Sequence, residues 1–183
     1  MEININEVLF VIPARGGSKR LPKKNIKPLA GKPLICYSLD IARQLTDDGN
    51  ICISTDSDDI ISVVSDCGYH VPFKRPDELA SDTATTNDVL VHAVNYYKQL
   101  GMDYKYLVLL QVTSPLRRKE DITNVLSLID DTCDMVVFAS LMQHPLCAMR
   151  MRMVSLHLHS RRTMVVVRTS RVNTSSSMAP FMP

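Results

Sequence analysis

The sequence predicts an α/β fold of three layers, a mostly parallel sheet with helices on both faces. Four short segments, at 8–14, 50–56, 106–115 and 134–140, read as strands, and the first is a continuous apolar run, as strands covered on both faces are. The stretches between them carry apolar residues at helical spacing, and strands alternating with helices give parallel pairing. A chain of 183 residues holds one full core and is short for two.

"VLFVIPA" (8–14) is the first strand. "KPLICYSLDIARQL" (32–45) places Leu34, Ile35, Leu39, Ile41, Ala42 and Leu45 at helical spacing. "NICISTD" (50–56) is the second strand. "SDDIISVVSDCG" (57–68) opens on capping residues and closes on glycine, so it reads as a helix, with Asp56 and Asp58 as its caps. "YHVPFKRP" (69–76) is a short extended piece. "TNDVLVHAVNYYKQLG" (86–101) is a helix ending on glycine, with Thr86 a candidate N-cap. "YLVLLQVTSP" (106–115) is the third strand. "KEDITNVLSLID" (119–130) is a helix whose early acids suit its positive end. "DMVVFAS" (134–140) is the fourth strand. There are no internal repeats.

Net charge is +2, which gives no polyelectrolyte signal for nucleic acid. No stretch approaches the roughly 20 apolar residues of a membrane span. The opening "MEININEVLF" has no basic segment before its short apolar run, so it does not read as a secretory leader. The cysteines Cys36, Cys52, Cys67, Cys133 and Cys147 form no CxxC pair and are expected as reduced thiols in a cytoplasmic protein.

In such sheets ligands bind beyond the carboxyl ends of the strands. Four polar stretches are expected on that rim: "RGGSKRLPKKN", "STDSDD", the loop around Arg75, and "QVTSPLR". Together they gather Arg15, Lys19, Lys24, Arg75 and Arg117 with the amides of Asn25 and Gln111. Such a set suits a polyanion with a polar head, most simply a nucleoside triphosphate. Gly16 and Gly17 would let backbone N–H groups approach phosphates, which lysine and arginine neutralise. A basic loop alone can equally be solvated surface; the convergence of several favours a ligand. The opening loop carries neither GxGxxG nor GxxxxGK[ST], so it is a phosphate loop of a different kind.

The stretch "IPARGGSKRLPKKNIKPLAGKPLI" resembles the opening of the N-acylneuraminate (sialic acid) cytidylyltransferases. "ISTDSDDI", "KRPDELASDTATT" and "LLQVTSPLR" agree with it in order. The related 3-deoxy-manno-octulosonate enzymes share only the "PAR…S…RLP" part. The resemblance runs from about Val8 to Ser140, and it implies a nucleotide-diphospho-sugar transferase-like fold with a nucleotide-binding α/β domain over 1–140.

The activity implied is transfer of CMP from CTP to the anomeric hydroxyl of a nine-carbon acidic sugar, with release of pyrophosphate. Two alternatives stand beside it: a non-catalytic CTP-binding remnant, and the octulosonate-type enzyme. Carried over, the resemblance gives Arg15, Gly16, Gly17, Ser18, Lys19 and Lys24 to the triphosphate, with Arg15 and Lys24 as catalytic cations. Asn25 would contact ribose or base. Arg75 and the "ASDTATT" loop, with Ser81 and Thr86, would read cytosine. Gln111, Ser114 and Arg117 would face the sugar, although Arg117 can also be read as a surface cation. The resemblance further implies Mg2+, with ligands beyond the matching stretch, and a homodimer, with no nucleic acid and no membrane among its partners.

After Ser140 the character changes. Residues 141–183 are rich in Met, Arg and Ser, show no clear period, and no Asp or Glu occurs from 135 to 183. Grouping the last base of each codon with the first two of the next turns Met153-Val154 into glycine. It also makes Met178 to Pro183 compatible with Asn-Gly-Ala-Ile-Tyr, which the family carries there. A frameshifted tail beginning between about Ser140 and Met149 is therefore expected, with irregular structure from about residue 145. The pair His157 and His159 is then an accident of frame, and the family's dimer arm would be absent.

Overall fold

The structure, a computed structural model, describes residues 3–18, 21–130, 135–139, 147–151 and 162–168. Its strands are β1 (Val8–Pro13), β2 (Pro28–Leu29), β3 (Lys32–Pro33), β4 (Ile51–Ser54), β5 (Tyr106–Leu110), β6 (Met135–Ala139), β7 (Cys147–Met151) and β8 (Arg162–Arg168). Its helices are α1 (Leu34–Arg43), α2 (Asp58–Asp66), α3 (Thr86–Gln99) and α4 (Lys119–Ser127).

Side chains on β1 alternate between two cores. Val8, Phe10 and Ile12 face one way and Leu9 and Val11 the other, all fully buried. Against the first face pack Ile35 and Leu39 of α1, Ile60 and Val64 of α2, and Ile122 and Val125 of α4. Against the second pack Leu90, Ala93, Val94 and Tyr97 of α3. These are the three expected layers. β1 pairs in parallel with both β4 and β5. The six-stranded sheet runs β4-β1-β5-β8-β6-β7, with β8 antiparallel to both neighbours and β7 antiparallel to β6. β1, β4, β5 and β6 therefore share one direction. β2 and β3 form a separate small hairpin, turned by Ala30 and Gly31 at φ of 48° and 82°.

Several expectations need correction. β5 stops at Leu110, not at residue 115, because the chain turns where the Ser114 N–H donates to the Gln111 carbonyl at 3.2 Å. The tail is not irregular throughout: β7 and β8 lie inside it, and β8, with three consecutive valines, pairs between β5 and β6. The rest of the tail, His157 and His159 included, lies outside the described residues. The N-cap of α3 is Thr85, in a capping box with Asp88; Thr86 is the first helical residue. Cys36 and Cys67 are joined as a disulfide between α1 and the end of α2, with Cα atoms 7.0 Å apart, so these two are not free thiols. Cys52 is free and buried, and burial pushes its thiol up. Among the described residues no helix is long and apolar enough to cross a membrane.

Candidate functional site

The strand register places the candidate site. Pro13 lies level with Ser54, and Val11 with Leu109, so the chain leaves β1, β4 and β5 at the same sheet edge. The Ala14 N–H donates to the Ser54 carbonyl at 2.9 Å, keeping the first two segments together one residue further. Beyond it a cleft of about 410 Å³ opens. Arg15, Gly16, Gly17, Lys23 and Asn25 line one side, and the start of α2, Asp56 to Asp59, lines the other.

The opening loop is shaped by a few bonds. Asn25, only 7% exposed, donates through Nδ2 to the Arg15 carbonyl at 2.9 Å and so ties the loop's two ends. The Gly16 N–H donates to Asp56 Oδ1 at 2.9 Å. A Cβ at Gly16 would lie 2.7 Å from Ser57 Cβ, an atom fixed to its own backbone, so only glycine fits. Gly17 has open space around it. The Ser18 N–H donates to the Gly16 carbonyl at 3.0 Å. Lys23 adopts φ 53°, rare for a residue with a side chain and a form of strain that concentrates at functional sites.

The cations are held unequally. Arg15 Nη1 meets Asp82 Oδ1 at 3.2 Å, linking the opening loop to the "ASDTATT" segment. Lys23 Nζ meets Asp59 at 2.6 Å, and Lys74 Nζ meets Asp58 at 2.8 Å. Lys24 lies in the short turn 24–26 and is not among the residues lining the cleft. Lys19 lies outside the described residues.

Arg75 and Arg117 stand apart from these. Arg75 is 4% exposed; its Nε donates to Ser54 Oγ at 2.9 Å, its Nη2 to the Ser54 carbonyl and its Nη1 to the Leu79 carbonyl at 3.5 Å. Burial lowers its pKa, with Asp56 opposing. Arg117 donates to the Gln111 carbonyl at 3.3 Å, and burial pushes its guanidinium down to about 10 against the pull of Asp121. It is not a surface cation. Gln111, Ser114 and Arg117 thus share one turn after β5, outside the lining of the cleft. Ser81 Oγ donates to the Glu78 carbonyl at 2.9 Å and accepts from the Ala84 N–H at 3.2 Å, ordering the loop before α3.

The acids at the start of α2 were expected as caps and are not. Ser57 is the N-cap and makes no side-chain capping bond; Asp56 turns back to the opening loop and Asp58 pairs with Lys74. The stretch "STDSDD" was expected on this rim and lies there, but its acids were given a capping role, and Lys23 within the opening loop was given none. Among the described residues no group of three or more His, Cys, Asp or Glu could hold a metal ion. Lys23 and Lys74 pair with Asp59 and Asp58, and the described residues offer no carboxylate cluster for the implied Mg2+.

Comparison with known proteins adds to this geometry. A family model described as cytidylyltransferase matches residues 9–173. The chain is 39% identical over 133 residues to CMP-N,N'-diacetyllegionaminic acid synthase of Legionella pneumophila, covering 73% of this chain and 57% of that protein. It is 38% identical over 141 residues to N-acylneuraminate cytidylyltransferase of Streptococcus agalactiae, covering 75% of this chain and 33% of that one. The chain therefore spans about half the length, or less, of these curated relatives. Among solved structures, a CMP:2-keto-3-deoxy-manno-octonic acid synthetase complexed with CTP superposes with a TM-score of 0.66 at 19% identity, over 96% of this chain and 80% of that one. At that identity it shows the fold alone.

Proposed function

The chain belongs to the cytidylyltransferase family, and from that premise we propose that it binds CTP in the cleft and joins CMP to a nine-carbon acidic sugar of the sialic acid type. The observation that carries this reading is the Gly16–Gly17 loop. It leaves β1 and lies among Arg15, Lys23 and Asn25, where backbone and cations can meet a triphosphate. The names of the two relatives favour a nonulosonic acid over an octulosonic one.

In the proposed reaction the sugar's anomeric oxygen bonds to the α-phosphorus as the bond to the bridging oxygen breaks. Pyrophosphate leaves, and the hydroxyl proton passes to solvent. Charge grows on the phosphoryl oxygens and the leaving group, and fixed cations stabilise it. Arg15, Lys19 and Lys24 are assigned this role, with Ser18 beside them. Asn25 holds ribose or base, and the 81–86 loop, braced by Arg75, reads cytosine. Gln111, Ser114 and Arg117 face the sugar. A magnesium ion would belong to the same chemistry, and no residue described here is assigned to it. An intracellular, cytoplasmic setting goes with this reading, because its nucleotide substrate is made inside the cell.

Pyrophosphate release is the test. Release that requires both CTP and N-acetylneuraminate, its deaminated analogue or a diamino nonulosonate supports the reading. Release driven better by an octulosonate contradicts the sugar assignment.

A second reading is CTP binding without turnover. The lack of any Asp or Glu from 135 to 183 favours it. Out-of-frame translation of the tail would explain that lack, and the nucleotide sequence across codons 135 to 183 decides it. A clean frame with no alternative reading would remove this explanation.

A further inference from the structure

Three acids at the start of α2 reach the opening loop, at Gly16 and Lys23, and Lys74. Asp58 meets Lys74 and Asp59 meets Lys23, both as exposed side-chain pairs. Such pairs contribute about 0–1 kcal/mol and fix little backbone. Asp56 differs in kind. Its Oδ1 accepts a backbone N–H, that of Gly16, across 40 residues of sequence and in a part-buried setting. A carboxylate accepting a peptide N–H is shorter and stronger than a neutral pair, and it restrains the main chain itself.

The contact is braced from behind and from the side. Asp56 follows Ser54 and Thr55, both fully buried. Ser54 receives the Arg75 guanidinium, and the Thr55 carbonyl receives the Arg75 N–H at 2.7 Å. Ser57 Cβ occupies the place a Gly16 side chain would need. The segment leading into α2 therefore meets Gly16 through one hydrogen bond and one steric fit, on adjacent residues. The Gly16 N–H is also already taken, so phosphate contacts fall to Gly17 and the residues after it.

We propose that Asp56 is the positioning residue of the opening loop: its carboxylate fixes the Gly16 peptide so that Arg15 and the Gly17–Ser18 segment meet the triphosphate in one arrangement. This rests on the reading of the cleft as a CTP site. Asp56 touches no reacting atom; it acts through the loop.

The test is a pair of titrations on the full chain, with CTP and with cytidine, which lacks the phosphates. Asp56→Ala weakens CTP binding about tenfold, the loss expected for a charge-assisted hydrogen bond, and leaves cytidine binding unchanged. Asp56→Asn, whose amide oxygen can still accept the Gly16 N–H, recovers most of that loss. Gly16→Ala, which pushes the loop off Ser57 from the other side, reproduces the CTP-selective effect and serves if Asp56→Ala does not fold. Wild-type CTP affinity in Asp56→Ala overturns the proposal. So does a parallel fall in CTP and cytidine affinity, which is the mark of a merely structural residue. A wild-type chain that binds cytidine and CTP equally, or neither, defeats the nucleotide reading first and this proposal with it.

Discussion

On the opening loop Arg15 and Lys23 are 41% and 66% exposed and meet the carboxylates of Asp82 and Asp59. Behind the rim Arg75 is 4% exposed, with its donors taken up by Ser54 and the Leu79 carbonyl, and Arg117 is held against the Gln111 carbonyl. An exposed ion pair is worth about 0–1 kcal/mol, so an anionic ligand can displace either carboxylate at small cost. A buried guanidinium cannot leave without baring the groups it satisfies. The same charge therefore does two jobs: the loop's cations are exchangeable, and Arg75 behind it holds the wall in place.

The largest expected effect lies on the loop. If Lys24 stabilises charge that grows in the reaction, Lys24→Ala lowers turnover on the order of a hundredfold, about 3 kcal/mol, while CTP binding weakens far less. Steady-state kinetics on an active, full-length form measure this. A nearly silent change, within about 0.5 kcal/mol, makes Lys24 a solvated cation and shifts the role towards Lys23, which lines the cleft.

The next effect lies behind the rim. Arg75→Leu should cost about 2–3 kcal/mol of stability, because Ser54 and the Leu79 carbonyl lose their buried donor. Denaturant unfolding reads this. Arg75→Lys should rescue little, since an ammonium cannot reproduce the guanidinium fork. A fully stable Arg75→Leu chain would break the division between exchangeable and structural cations.

Arg117 sharpens that division. Burial lowers its pKa to about 10 from 12.5, so the folded state releases this proton first and gains stability from it only above pH 10. At neutral pH its burial is a standing cost. Arg117→Met should therefore leave the unfolding free energy within about 1 kcal/mol of wild type. Loss of sugar-dependent turnover in the same variant would mark a cation kept for its ligand.

The smallest effect is far from the site. Arg43 donates to both carboxylate oxygens of Asp48 at 2.7 Å, and this hydrogen bonding holds the Asp48 carboxyl below its ordinary 3.8. A depressed carboxyl contributes stability above its unfolded pKa and loses it as pH falls through the folded one. Asp48→Asn should thus be less stable than wild type at neutral pH, by under about 1 kcal/mol given its exposure, and equal to it in strong acid. Unfolding curves at the two pH values check this.

The amino-terminal half of the fold was legible because each element carries its own signal. "VLFVIP" is apolar throughout and lies between two parallel neighbours, and α1 to α4 begin within two residues of their expected starts. β8 was not legible. "RTMVVVR" has a β-branched run, but its place between β5 and β6 depends on partners more than fifty and about twenty-five residues earlier, which no local pattern reveals. The site divides similarly. The glycines and cations of the opening loop announce phosphate chemistry by residue type. The bond from Gly16 to Asp56 joins distant segments, and an acid before a helix has a nearer explanation as a cap. The burial of Arg75 and Arg117 was hidden for the same reason, since only tertiary packing separates a structural guanidinium from an exchangeable one.

The central claim is that the loop's exposed cations trade carboxylates for the phosphates of a cytosine nucleotide. Calorimetric titration of the full chain with CTP and with ATP, at low and at high salt, tests it most directly. The account predicts tighter binding of CTP than of ATP, with affinity falling as salt screens the exposed charges. Equal affinity for the two nucleotides, or CTP binding indifferent to salt, would contradict it.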